Sequence, residues 1–116
     1  MLFRSAPIMY SGSIENCINY ADITGKGYRV GGICAYAVDG MISDCINYGA
    51  ITATQYTAGI VGLSDATISN CENYGNVNGS QWIGGITGRS TKNITNCIND
   101  GNVTGSAVYC VAVIAP

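Results

Sequence analysis

Six cysteines stand in a chain of 116 residues that has no histidine. Four of them, Cys17, Cys45, Cys71 and Cys97, are 28, 26 and 26 residues apart. Cysteines at regular spacing can form disulfides, hold a metal, act as nucleophiles or pack as small apolar side chains. No C-x₂₋₄-C pair is present and no imidazole is available, so zinc chemistry lacks its usual ligand set. A cysteine nucleophile lacks a base to activate it. Parallel, in-register cysteines would stand close enough to bridge, but they do not naturally adopt the near-perpendicular torsion of a disulfide. The reading that remains is a column of buried thiols. Cys34 and Cys110 fall outside that column and read as ordinary substitutions.

The tyrosines are the second group able to act on a ligand. Tyr20, Tyr48 and Tyr74 recur at the spacing of the cysteines, and Asp100 stands at the fourth position. Such a column is either a stacked ladder that stiffens one edge or a strip for sugar rings or a partner protein. Tyrosine suits both, with an apolar face and a polar tip. Tyr56 and Trp82 lie in variable segments and would extend the strip if they share its side. Together these five are the candidate ligand-binding residues.

The remaining polar residues nominate no reaction. The seven carboxylates are Glu15, Asp22, Asp39, Asp44, Asp65, Glu72 and Asp100. Their spacing names no facing pair for glycoside hydrolysis, and no D-x-D-x-D-G loop is present for calcium. Asp39 and Asp65 read as turn residues. Thr24, Thr52 and Thr104 align, but Asn78 interrupts them, which argues against an ice-binding face. Asn78, Asn93 and Asn102 head Asn-x-Ser/Thr triplets, a pattern expected by chance in a chain this rich in asparagine. No catalytic residue, metal site or cofactor is expected.

What positions these residues is a repeat, and internal self-similarity is the strongest sequence signal here. "IENCINYADITG" (14–25), "ISDCINYGAITA" (42–53), "ISNCENYGNVNG" (68–79) and "ITNCINDGNVTG" (94–105) are four versions of one segment. "VGGICA" (30–35), "TAGIVG" (57–62) and "IGGITG" (83–88) follow the first three. The first unit is two residues longer than the others, an insertion expected at a surface corner. A unit of 26 residues cannot bury a core alone, but stacked units can. Ile and Val alternate with turn residues and show no 3.6-residue period. The expected fold is all-β, a β-solenoid of about four coils with one repeat per coil and two or three parallel strands in each.

Stacking turns repeat positions into columns. Ile14, Ile42, Ile68 and Ile94 point inward, as do Ile23, Ile51, Val77 and Val103, and Ile33, Ile60 and Ile86. Asn19, Asn47, Asn73 and Asn99 form an amide ladder, a known device of stacked strands. Asn16, Asp44, Asn70 and Asn96 form a second polar column. Gly49, Gly75 and Gly101, with Ala21 in the first copy, suit a corner that needs positive φ or close approach. Gly32, Gly59 and Gly85 mark a bend or a narrow place. The expected organisation is a degenerate partial coil or cap over 1–13, then repeats 14–41, 42–67, 68–93 and 94–116.

"GIVG" (59–62) and "GITG" (85–88), each followed by a connector and then "TISNC" or "NITNC", resemble the GLUG-motif repeat of bacterial secreted and surface proteins. "NVNG" and "NVTG" resemble that repeat's G-x-V-x-G segment, and the likeness covers nearly all the chain after Ser13. Ala35 departs from it, replacing the last glycine of the first copy, and the fourth copy has "YCVAVI" in place of a Gly-Gly pair. The resemblance implies a solenoid repeat region of large exported proteins such as adhesins and immunoglobulin-cleaving proteases. It carries no catalytic residue.

Bulk composition agrees with a non-enzymatic module. Charged residues are only 10% and the net charge is −2. Arg4, Lys26, Arg29, Arg89 and Lys92 are scattered, which gives no footprint for nucleic acid. No apolar run is long enough for a membrane helix, and residues 1–10 lack the apolar core of a signal peptide. The function expected is an adhesion scaffold or spacer within a larger exported or surface protein, with a host glycan or matrix protein as partner. The alternatives are a self-assembling solenoid that stacks end to end and the carbohydrate-binding portion of an exported enzyme. The apolar C-terminal stretch 106–116 reads as an uncapped end of a longer array.

Overall fold

Short β-branched stretches separated by Asn, Gly and Ser can form strands of only a few residues, each ending where the chain must turn. The computed structural model describes residues 8–26 and 28–105. A two-residue strand, β1 (Ile8–Met9), precedes the first full coil. That coil holds β2 (Ser13–Glu15), β3 (Ile18–Asn19), β4 (Ile23–Thr24), β5 (Val30–Gly31) and β6 (Cys34–Ala37). The second holds β7 (Met41–Ser43), β8 (Ile46–Asn47), β9 (Ile51–Thr52), β10 (Gln55–Ala58) and β11 (Val61–Ser64). The third holds β12 (Thr67–Ser69), β13 (Glu72–Asn73), β14 (Val77–Asn78), β15 (Gln81–Gly84) and β16 (Thr87–Ser90). The fourth is described through β17 (Ile94–Thr95), β18 (Ile98–Asn99) and β19 (Val103–Thr104).

The chain is therefore an all-β parallel solenoid of about four turns, each about 26 residues long. Each strand pairs in parallel with its counterparts one coil away, building five narrow sheets along the axis. The expected two or three strands per coil become five. The reason is local: one corner residue breaks each longer stretch. Asn16, Asp44, Asn70 and Asn96 all have φ between 51 and 55°, a left-handed conformation that Asn and Asp tolerate better than other side chains. Each splits what reads as one strand into two, such as β12 and β13.

Register follows the columns read from the sequence. Ile42 pairs with Ile14 and Ile68, Asn47 with Asn19 and Asn73, and Ile51 with Ile23 and Val77. The extra length of the first unit divides between two corners. Residues 25–29 lie between Thr24 and Val30, whereas 53–56 lie between their partners Thr52 and Thr57. Residues 38–40 lie between Ala37 and Met41, whereas 65–66 lie between their partners Ser64 and Thr67. Each corner takes one residue and the strands keep their register.

Two columns pinch the coil. A Cβ placed on Gly59 would lie 2.2 Å from Asn73 Oδ1, and one on Gly32 would lie 2.5 Å from Asn47 Oδ1. The glycine column is thus pressed against the asparagine column. The apolar interior has two compartments. The larger contains Ile42, Ile68, the cysteine column, Ile33, Ile60 and Ile86. The smaller contains Val30, Ile51 and Ala53, with Ile23 against them.

Candidate functional site

The amide ladder is the frame on which the exposed residues are mounted. Asn19, Asn47 and Asn73 each donate from Nδ2 to Oδ1 of the next asparagine, at 2.8 Å in all three steps. Each Nδ2 also donates to the carbonyl two residues on, as Asn73 does to Gly75 at 2.8 Å. Each Oδ1 accepts from that residue's amide N–H, at 3.2–3.3 Å. Both donors and both acceptor sites of Asn73 are used. Side-chain amides can be buried completely only on such terms, and Asn47 and Asn73 are buried.

The cysteines form the inner column beside it. Cys45, Cys71 and Cys97 are fully buried and Cys17 is half-buried. The four column cysteines are free thiols. Each column thiol donates to the carbonyl two residues earlier, as Cys71 Sγ does to Ser69 O at 3.3 Å. Hydrogen bonds with Cys45 and Cys97, followed by burial, push the Cys71 thiol upward. Burial does the same at Cys34, which is interior too and shares its slot with Val61 and Thr87. Cys34 Sγ and Thr87 Oγ1 each donate to the carbonyl two residues on, so three residues of similar size fit one core position. Cys110 lies outside the described residues. Among the described residues no group of three His, Cys, Asp or Glu side chains could hold a metal ion.

Immediately after each ladder asparagine of the first three coils comes a tyrosine, on the outside. Tyr20 and Tyr48 stack at 5.2 Å with rings 5° from parallel, and Tyr48 and Tyr74 at 5.4 Å and 13°. All three are exposed. Glu72 accepts a hydrogen bond from the Tyr74 hydroxyl. That bond pushes the phenol upward from its ordinary range.

Tyr56 and Trp82 do not join this stack through any ring contact. They form one of their own, 5.8 Å apart and 9° from parallel, on β10 and β15. Both have positive φ, 45° and 55°. A bulky residue in that region is an outlier that the surroundings must hold in place. The holding element is the glycine across the turn. A Cβ on Gly62 would lie 2.3 Å from Tyr56 O, and one on Gly88 would lie 2.2 Å from Trp82 O. This accounts for the departure at Ala35. In the first coil the equivalent residue is Arg29, which is not left-handed. The corner there has one residue more, and an alanine fits.

Two arginines complete this arch. The Arg29 guanidinium carbon lies 4.7 Å from the Tyr36 ring centroid, and that of Arg89 lies 5.1 Å from the Trp82 ring. The cation and ring of each pair are seven residues apart, Arg29 with Tyr36 and Trp82 with Arg89, and Tyr56 and Leu63 hold the same two register positions in the second coil. Tyr36, Leu63 and Arg89 stack in one column. Sequence reading missed this pairing because the basic residues look scattered. The signal was the constant separation of seven between cation and ring, with their order reversed between the first and third coils. The Asp65 carboxylate ties the same edge together, accepting from Tyr36 OH at 3.2 Å and from Thr91 Oγ1 at 2.7 Å. Asp39 caps its own turn through Gly40 N–H.

No family model matches this chain, and no curated protein or solved structure gives a significant match to it.

Proposed function

We propose that this chain is a non-catalytic repeat module of an exported or cell-surface bacterial protein, serving as an adhesion scaffold. The carrying observation is the stack of Tyr20, Tyr48 and Tyr74, exposed on one edge and mounted directly on a fully hydrogen-bonded amide ladder. Exposed parallel rings held at fixed spacing give a partner an apolar surface with no ordering left to do, which favours binding. The likeness of the Gly-Ile-x-Gly and Asn-Val-x-Gly segments to GLUG-motif repeats supports the exported setting. Host glycans and matrix proteins are the partner classes that fit an aromatic strip of this kind.

The test is retention of the folded chain on immobilised glycans and matrix proteins, compared with Tyr48→Ser. Loss of retention in the variant, with the unfolding midpoint kept, is the expected result. A folded wild-type chain retained on none of them would remove the adhesion role and leave that of a spacer.

A further inference from the structure

We infer that the cysteine column is a binding site for soft divalent metal ions that take two ligands in a line, mercury(II) being the type. The site lies inside the coil, apart from the exposed rings, and does not rest on the adhesion reading.

Four observations carry it. First, Cys17, Cys45, Cys71 and Cys97 occupy one column, so neighbouring sulfurs stand one rung apart, about 4.8 Å. A metal–thiolate bond of about 2.3 Å puts two sulfurs on opposite sides of one ion about 4.6 Å apart. An ion on the line between neighbouring thiols fits the spacing that the coil already has. Second, the ligands are sulfur alone and come two at a time. The sequence has no histidine, and among the described residues no three ligating side chains converge. The tetrahedral set that zinc requires is therefore missing, and thiolates by themselves favour soft ions. Third, the thiol protons are spare. Cys45, Cys71 and Cys97 donate to Ser43 O, Ser69 O and Thr95 O. Each of those carbonyls also accepts a backbone N–H, from Asn16, Asp44 and Asn70 in turn. Removing the protons orphans no acceptor. Fourth, the charges cancel. Two thiols release two protons to one divalent ion, and the bis-thiolate that forms is neutral. An apolar interior that includes Ile42 and Ile68 can hold a neutral unit, whereas bare thiolates would be costly there. Cys17, at the half-buried end of the column, gives the ion access. Four thiols make two neighbouring pairs, so the column takes two ions.

The test uses the reduced Cys34→Val, Cys110→Ala variant, which keeps only the column thiols. Valine already fills the Cys34 slot in the second coil. The probe is mercury(II) chloride at about two equivalents. The unfolding midpoint should rise by about 5 °C or more, because the ion binds the folded chain better than the unfolded one. X-ray absorption should show two sulfur neighbours at about 2.3 Å and no third. A lowered midpoint would mean that the ion prefers the cysteines of the unfolded chain, and would overturn the proposal. So would a third sulfur neighbour, or an equal rise with zinc(II). Two further double replacements on this background test position, each leaving two thiols. Cys71→Ala with Cys97→Ala leaves the neighbours Cys17 and Cys45, and should bind one ion with a raised midpoint. Cys45→Ala with Cys97→Ala leaves Cys17 and Cys71 two rungs apart, and should show no rise. Equal shifts in these two folded variants would overturn the proposal as well. Where a variant fails to fold, the sign of the shift in wild type, with mercury(II) against zinc(II), decides.

Discussion

Asn73 illustrates how little freedom a ladder residue has. Its Nδ2 donates to Gly75 O and Asn99 Oδ1, while its Oδ1 accepts from Asn47 Nδ2 and Gly75 N–H. Asn73→Asp keeps the shape but puts an oxygen where two acceptors already point. The new carboxyl is buried and faces those acceptors, so its pKa in the folded chain is raised above the unfolded value near 3.9. The loss of one donor is felt at every pH, while the added cost of ionising the buried carboxyl is absent below about pH 4 and grows as pH rises toward the folded pKa. At neutral pH the variant should be less stable than wild type by about 3–5 kcal/mol, as for an uncompensated buried charge. Urea unfolding at pH 4 and pH 7 checks this: the gap between variant and wild type should widen at pH 7, and an equal gap would mean that the lost donor alone matters.

At the scale of the corner, the glycine column has a steric cause. Gly49, Gly75 and Gly101 are not left-handed. A Cβ on any of them would lie 1.9–2.0 Å from the carbonyl oxygen of the rung beneath. Ala21 occupies the same slot in the first coil, and among the described residues no rung lies under it. Gly75→Ala should therefore cost about 3 kcal/mol, the upper range for an overpacked site, whereas Ala21→Gly should change stability by less than about 1 kcal/mol. Thermal unfolding of the two variants tests the contrast, and comparable losses would contradict the close-approach account. The repeat made the coil, its columns and the asparagine ladder legible, because every rung carries the same residues in phase. The five-strand cross-section was less legible. One left-handed Asn or Asp per rung sets it, and such a residue looks like any polar position in a strand. The arch was hidden for another reason: its cation and its ring exchange places between coils, so no column is uniform and the pairing exists only across the turn.

For the whole molecule, the buried Cys34 thiol links stability to alkalinity, since burial holds it above its ordinary range. In the column the shifts oppose one another: the hydrogen bonds that push Cys71 upward push Cys45 and Cys97 downward. Unfolded cysteine ionises near pH 8.5. A raised folded value means that the stabilising contribution is whole below that pH and is lost as pH rises through the folded value. The urea midpoint should fall between pH 8 and pH 10. Cys34→Val, which copies the residue filling the same slot at Val61, should lessen the fall. A midpoint indifferent to pH would place the Cys34 thiol outside the cooperative core. The ladder itself has a direction. Every amide donates the same way, from Asn19 through Asn47 and Asn73 to Asn99, so one end of the column offers an acceptor and the other a donor. A coil added in the same sense continues the column, while a coil added in the opposite sense would set donor against donor or acceptor against acceptor. The solenoid is a vector as well as a scaffold: any array that prolongs its ladder has a front and a back, and presents its two aromatic edges in one fixed orientation along its whole length.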